Sequence, residues 1–407
     1  MSFAQAHDMS SMSGVMGPAS CNHMETWNYE MAMCMPLAMP GMPMRMIMLQ
    51  GNAFATGIFA SGPRGVDGFA VPNMFMLDAG SSVGDNHYVN LDFMGTVEKW
   101  TFPSHGYPLI LQIGEEDSHG RPFVDAQHPH SSPIMGLTLS DTYSLGNKNY
   151  FKIWAAPRAA STDGPVAFMH RPTGMVNPDA PLGHHIGQDA GHISSTVLGA
   201  AFHRDRITLE GSLFHGEEPE PTEVDLPLGK IDSWATRLIV QPTDKVYAMV
   251  SVAQIEKPEA HDPLQDHIWR YSASLYVDHE LRDGWLWRNT LIWGIVQKYD
   301  HVPTLQSFGE EFLLVKDSLN FWGRFETLQR TPGELQIAAV DPLEPHWATA
   351  VTLGATWDFI KTSAVSTGLG ASVTHDFLPS SFESAYDGDP WTYKVFLQVS
   401  GQNMWAW

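Results

Sequence analysis

The chain has 407 residues, with 45 acidic against 23 basic side chains and a formal charge of −22. That balance excludes a nucleic-acid partner, because phosphate neutralisation needs clustered Lys and Arg; it suits the collection of cations. No uninterrupted apolar run approaches the roughly 20 residues of a membrane helix, which rules out helical spans and leaves strands open as a way through a bilayer.

At the start, Ser2-Phe3-Ala4-Gln5-Ala6 resembles the small-residue end of a secretory signal, so the expectation is a chain cut from a longer precursor. Residues 1–41 then form a segment rich in Met, Cys and His ahead of a β-domain over 42–407. The first fifty positions hold thirteen of the 21 methionines and both cysteines. Cys21, His23, Met24, Met31, Met33, Cys34, Met35, Met39, Met42 and Met44 are its candidate metal ligands, continued by Met46 and Met48. Thioether, thiolate and imidazole are the donors that monovalent copper prefers. Methionine is also a flexible apolar filler, so packing is the competing account. The two cysteines fit a disulfide in an oxidising compartment and thiolate ligands equally.

From about residue 42 the chain reads as strand after strand. In His346 to Phe359, Trp347, Thr349, Val351, Leu353, Ala355, Trp357 and Phe359 share one parity, and Ala348, Ala350, Thr352, Gly354, Thr356 and Asp358 the other. Alternation of period two gives one apolar face and one polar or small face. Trp269 to Val277 and Trp285 to Gln297 repeat it. These strands are longer than the roughly 5–6 residues usual in soluble sheets. Arg204-Asp205, Pro242-Thr243-Asp244 and Arg282-Asp283-Gly284 supply short turns between them. Trp269, Trp285, Trp347 and Trp391 sit near strand ends, where lipid-facing strands meet headgroups, and the chain stops on Met404-Trp405-Ala406-Trp407 after an alternating strand. The predicted fold is all-β: a transmembrane antiparallel β-barrel of about 16 strands in the bacterial outer membrane. A soluble sandwich would bury the same apolar parity between two sheets.

Two long segments, about 101–135 and 157–190, interrupt the hairpins and read as ordered, functional loops. They carry His128, His130, His170, His184, His185 and His192 beside Asp125 and Asp189. Imidazoles with nearby carboxylates have the makings of a metal site, with Asp125 or Asp189 orienting a ring from behind. A polar lumen network that satisfies buried backbone would use the same residue types. His215-Gly216-Glu217-Glu218 reads as a solvated hairpin end. No cysteine follows position 34, and HExxH, GxSxG and P-loop motifs are absent from the sequence, so the usual oxidase, protease, hydrolase and nucleotide signatures are missing. His192 with Ser194 and Ser195 is the one hydrolase-like group, and it lacks an orienting third member.

The stretches METWNYEMAMCMP, GPRGVDGFAVPNMFMLD, LILQIGEEDSHGRPFVDAQHPHSSPIMGLTLSDT and GPVAFMHRPTGMVNPDAPLGHHIGQDAGHIS, within residues 24 to 215, resemble a family of uncharacterised bacterial outer-membrane proteins. Members commonly appear beside copper and heavy-metal resistance systems. The resemblance implies an outer-membrane location, copper as the handled ion and periplasmic metal-efflux components as partners. The expectation drawn from the whole is a non-enzymatic barrel that binds or conducts copper, with a periplasmic tail collecting Cu(I) and the histidine loops forming a second station. The alternatives are a general channel or structural barrel, and a barrel-embedded hydrolase.

Overall fold

A computed structural model describes residues 21, 25–29, 33–40, 43–117, 119–130, 133–189, 191, 193–221, 223–258, 266–298 and 302–407. His23, Met24, Met31, Met42 and His192 lie outside the described residues, as do positions 1–20.

A short hairpin of β1 (Glu25–Asn28) and β2 (Met33–Pro36) precedes the barrel. The first part of the wall comes from β3 (Arg45–Ala60), β4 (Gly68–Ala70), β5 (Asn73–Val83) and β6 (His87–Gly95). A turn of helix, α1 (Glu98–Thr101), and a hairpin of β7 (Tyr107–Glu116) and β8 (Pro122–Gln127) then leave the wall. The wall resumes with β9 (Gly136–Gly146), β10 (Asn149–Ala159), β11 (Ser194–Arg204), β12 (Ile207–His215), β13 (Ser233–Thr243) and β14 (Val246–Glu256). It ends with β15 (His267–Glu280), β16 (Leu286–Lys298), β17 (Leu305–Lys316), β18 (Leu319–Arg330), β19 (His346–Lys361), β20 (Val365–Phe377), a second short helix α2 (Ser380–Tyr386) and β21 (Trp391–Ala406). Each wall strand pairs antiparallel with its neighbours, and β21 closes on β3. The short β4 and the longer β5 both pair with β3, one above the other, and act as one strand broken at Val71-Pro72. The result is a closed barrel of 16 strands. The predicted fold class is therefore what the chain adopts.

The predicted parity also holds. Leu353 and Leu397 stand 53% and 40% exposed on the outside, while Thr352 and Gln398 face inward at 5% and 8%. Trp347, Trp357, Phe359, Val395 and Val399 join the outer face, and Arg270, Arg288, Thr290, Arg324 and Lys394 the inner one. A water-soluble sandwich is excluded by this: its bulky apolar parity would be buried. Aromatic side chains form two belts. Phe59, Trp347, Phe377, Trp391 and Tyr393 mark one end; Phe151, Phe202, Phe321, Trp357 and Trp405 mark the other. Such girdles sit at the two headgroup layers, so the barrel belongs to the outer membrane.

Tight turns such as Arg204–Ile207 and Lys316–Leu319 lie at the end where Arg45 exchanges hydrogen bonds with Trp407. Longer connections lie at the opposite end. Short turns mark the periplasmic side of such barrels. The sequence reading placed the long segments at about 101–135 and 157–190; the wall strands leave 96–135 and 160–193. Described parts of both, among them Tyr107–Gln112 and Val166–Arg171, are buried inside the barrel.

Candidate functional site

The segment 160–193 is held inside the barrel by buried charge. Arg171, fully buried, grips both oxygens of Glu311 on β17, Nε to Oε2 at 3.0 Å and Nη2 to Oε1 at 2.8 Å. Its Nη1 also donates to the carbonyls of Val166 and Gln188, at 2.7 and 3.0 Å. Thr173 Oγ1 donates to Glu311 at 2.8 Å, and Arg324 adds a second guanidinium at 3.1 Å. Farther along, Asp179 meets Lys394 of β21 and the hydroxyl of Tyr107, and Asp163 meets Arg270 of β15 at 2.8 Å. Paired forks of this kind fix orientation as well as charge. Gly187, at φ +75°, presses its backbone on Gly294 of β16; a Cβ on Gly294 would lie 1.9 Å from the Ile186 carbonyl. Only glycine at both places allows that approach.

This docking brings the two long segments together at their histidines. His128, His184 and His185 each offer a ring nitrogen, and those atoms all lie within 4.8 Å of one another. The rings of His184 and His185 are 4.6 Å apart, and His128 stands 5.8 Å from His185. His128 Nδ1 donates to the Pro129 carbonyl at 3.2 Å. Asp189 Oδ2 lies 3.3 Å from His184 Nδ1, an ion-pair distance. His185 Nε2 is buried with no hydrogen-bond partner among the described residues. Burial, then the neighbouring His184 and His128 and the guanidinium groups of Arg270 and Arg330, push the His185 pKa well below its ordinary value. Its ring is neutral at physiological pH and able to act as a ligand.

Glu115 and Glu218 complete the surroundings, forming a second potential ligand group with His185. The lining of this cleft carries three carboxylates, Glu115, Asp189 and Glu218, against two guanidiniums, Arg158 and Arg270. Three ring nitrogens and nearby carboxylate oxygens suit a borderline divalent metal such as Cu(II) or Zn(II).

Other predicted residues sit elsewhere. His130 is next to the trio but is claimed by Glu98, with Nδ1 to Oε2 at 2.6 Å. Burial opposes its protonation; the charge and hydrogen bond of Glu98, with Asp189 behind, outweigh this and raise the His130 pKa. His170 faces a different cavity. Asp125 does not orient an imidazole: it receives Arg64 at 2.6 Å, the Leu111 N–H and the Tyr386 hydroxyl. Glu218 is not a solvated hairpin end, since it stands 4.0 Å from His185 Nδ1 and 3.8 Å from Arg270. Ser194 and Ser195 are buried, with Ser195 fully inaccessible, which leaves no exposed nucleophile for the hydrolase reading. Glu115 and Glu311 had no distinguishing sequence signal; their partners lie far off in the chain.

The N-terminal segment corrects two expectations. Cys21 and Cys34 form a disulfide, so in this state neither is a thiolate ligand. The described part is also not a free tail. Trp27 and Tyr29 pack inside the barrel against Ile239, Tyr247, Met249, Tyr276 and Val166. Tyr29 stacks edge-on to Tyr247 at 5.3 Å and donates to Gln241 at 2.8 Å. The hairpin therefore sits in the periplasmic mouth of the lumen. Met33 and Met35 join Met46, Met48 and Met404 in one cluster, whereas Met39 and Met44 are half-buried outside it.

No protein-family model and no curated protein matches the chain. Solved structures do. High-pH OprB of Pseudomonas putida aligns with a TM-score of 0.53 and 10% identity over 88% of this chain and 93% of that one. An anion-selective porin from Comamonas acidovorans aligns at 0.50 and 8%, over 89% and 98%. OmpT of Vibrio cholerae, as a loop L8 deletion mutant, aligns at 0.49 and 8%, over 88% and 99%. At these identities the likeness is one of fold. The chain is an outer-membrane β-barrel.

Proposed function

We propose that this barrel binds copper in its lumen and handles it between periplasm and exterior, without covalent catalysis. The observation that supports the reading is the meeting of His128, His184 and His185, drawn from two separate segments and lining one cleft with Glu115, Asp189 and Glu218. Divalent copper stands at the top of the affinity order for such nitrogen and oxygen donors. The surrounding carboxylates match that use. Periplasmic metal-efflux components are the partners that would deliver or receive the ion.

The test is metal content of the detergent-purified protein from copper-supplemented cells. The wild-type chain is expected to carry a copper equivalent that H128A/H184A/H185A lacks. Equal copper in both would remove the trio from the mechanism. A general channel is the competing reading, favoured by the barrel architecture itself. Conductance indifferent to copper, in a protein that purifies without metal, would establish it.

A further inference from the structure

Five buried methionines of the wall and its loops gather in one place. The largest buried cluster is filled by Leu, Ile and Val and contains no methionine among the described residues. A second cluster holds Met74, Met76, Met94, Met135 and Met169, and no buried Leu, Ile or Val. Packing by itself is nearly indifferent between Leu and Met, which are close in volume. Such a gathering, where β5 and β6 otherwise turn Asp78 and Asn90 inward, puts several thioethers beside one another.

The second cluster borders a cavity of about 120 Å³ between the N-terminal hairpin, the wall and segment 160–193, lined by Met35, Met76, Met94, Met135 and His170. Met76 and Met94 are direct cross-strand partners on β5 and β6. His170 is 7% exposed, and its Nδ1 has no hydrogen-bond partner among the described residues. An orphaned imidazole and thioethers that line one cavity are a donor set for a soft monovalent cation.

We infer that Met76, Met94 and Met135, with His170, form a Cu(I) site inside the barrel. None of these ligands belongs to the histidine trio, so this site stands or falls separately from the one above. The thioethers come from the wall and its loops, not from the N-terminal run that the sequence draws attention to.

The experiment is anaerobic Cu(I) titration of the full chain in detergent against a chromogenic Cu(I) chelator. The variant is M76L/M94L/M135L, which keeps side-chain volume, and heat-dependent gel mobility checks its barrel. The variant is expected to bind Cu(I) about 10–100-fold more weakly, as loss of metal-site groups does, while H128A/H184A/H185A keeps this Cu(I) equivalent. If the triple leucine variant does not fold, H170A, which leaves the wall intact, is expected to weaken Cu(I) by about tenfold. Copper absorption spectra of the wild-type Cu(I) form should show sulfur neighbours with one nitrogen. Unchanged Cu(I) affinity in the folded leucine variant, or in H170A where that variant fails, or an all-nitrogen and oxygen first shell, overturns the proposal; the trio reading would survive any of these results.

Discussion

Glu311→Gln tests whether segment 160–193 is latched in the lumen by charge. Glu311 accepts from Arg171 Nε and Nη2, Thr173 Oγ1 and Arg324 Nε, at 3.0, 2.8, 2.8 and 3.2 Å. Neutralising it leaves two buried guanidiniums facing an amide. Breaking a buried ion pair by removing one partner costs about 3–5 kcal/mol. Asp189, 3.9 Å from Arg171 Nη1, substitutes in part, so the lower end is expected. A loss of about 3 kcal/mol raises the released fraction of the segment by about two orders of magnitude. The assays are cleavage of 160–193 by added protease and single-channel current in planar bilayers. Both should rise in E311Q, with the heat-modifiable mobility of the barrel preserved. R171M should give a similar effect, and the double variant much less than the sum, because the two act as one unit. Wild-type protease resistance and current in E311Q would refute the latch.

Four further outcomes are expected. Leu353→Arg, at a lipid-facing site, should destabilise insertion by about 2–4 kcal/mol in refolding into lipid vesicles. Thr352→Val, one residue along but facing inward onto Thr374 at 2.8 Å, should cost only about 1 kcal/mol in the same assay. Removing the Cys21–Cys34 bond, whose sequence separation is 13, should loosen the hairpin by about 3 kcal/mol, seen as proteolysis within 21–44 with barrel mobility unchanged. Gly294→Ala should displace Ile186 and Gly187 and weaken metal binding at the adjacent His185, measured as copper retained after dialysis.

The barrel was legible because lipid contact acts on every strand by one rule. Trp347, Leu353 and Trp357 repeat at period two, and the turn at Arg204-Asp205 needs only local chemistry, with Asp205 at φ +57°. The convergence of His128 with His184 and His185 was readable only as a possibility, since two loops of similar polarity carry them. What sequence does not encode locally was missed. Arg171 finds Glu311 140 positions away, and Glu218 reaches His185 only because β12 ends beside the docked segment. Cys21 and Cys34 were undecided because a spacing admits both chemistries; the hairpin resolves it by placing Cys34 opposite Trp27, with Cys21 bonded to it. The inward methionines drew no notice because β5 and β6 present them one or two at a time, diluted among ordinary strand residues.

The charged groups that pair with Asp163, Arg171 and Asp179 arrive late in the chain: Arg270, Glu311 and finally Lys394, which reaches back 215 positions to Asp179. Contacts so distant in order cannot form while the first half stands alone. An assembling copy is therefore unbolted until its closing staves are set, and the last stave both seals the cylinder and throws the bolt.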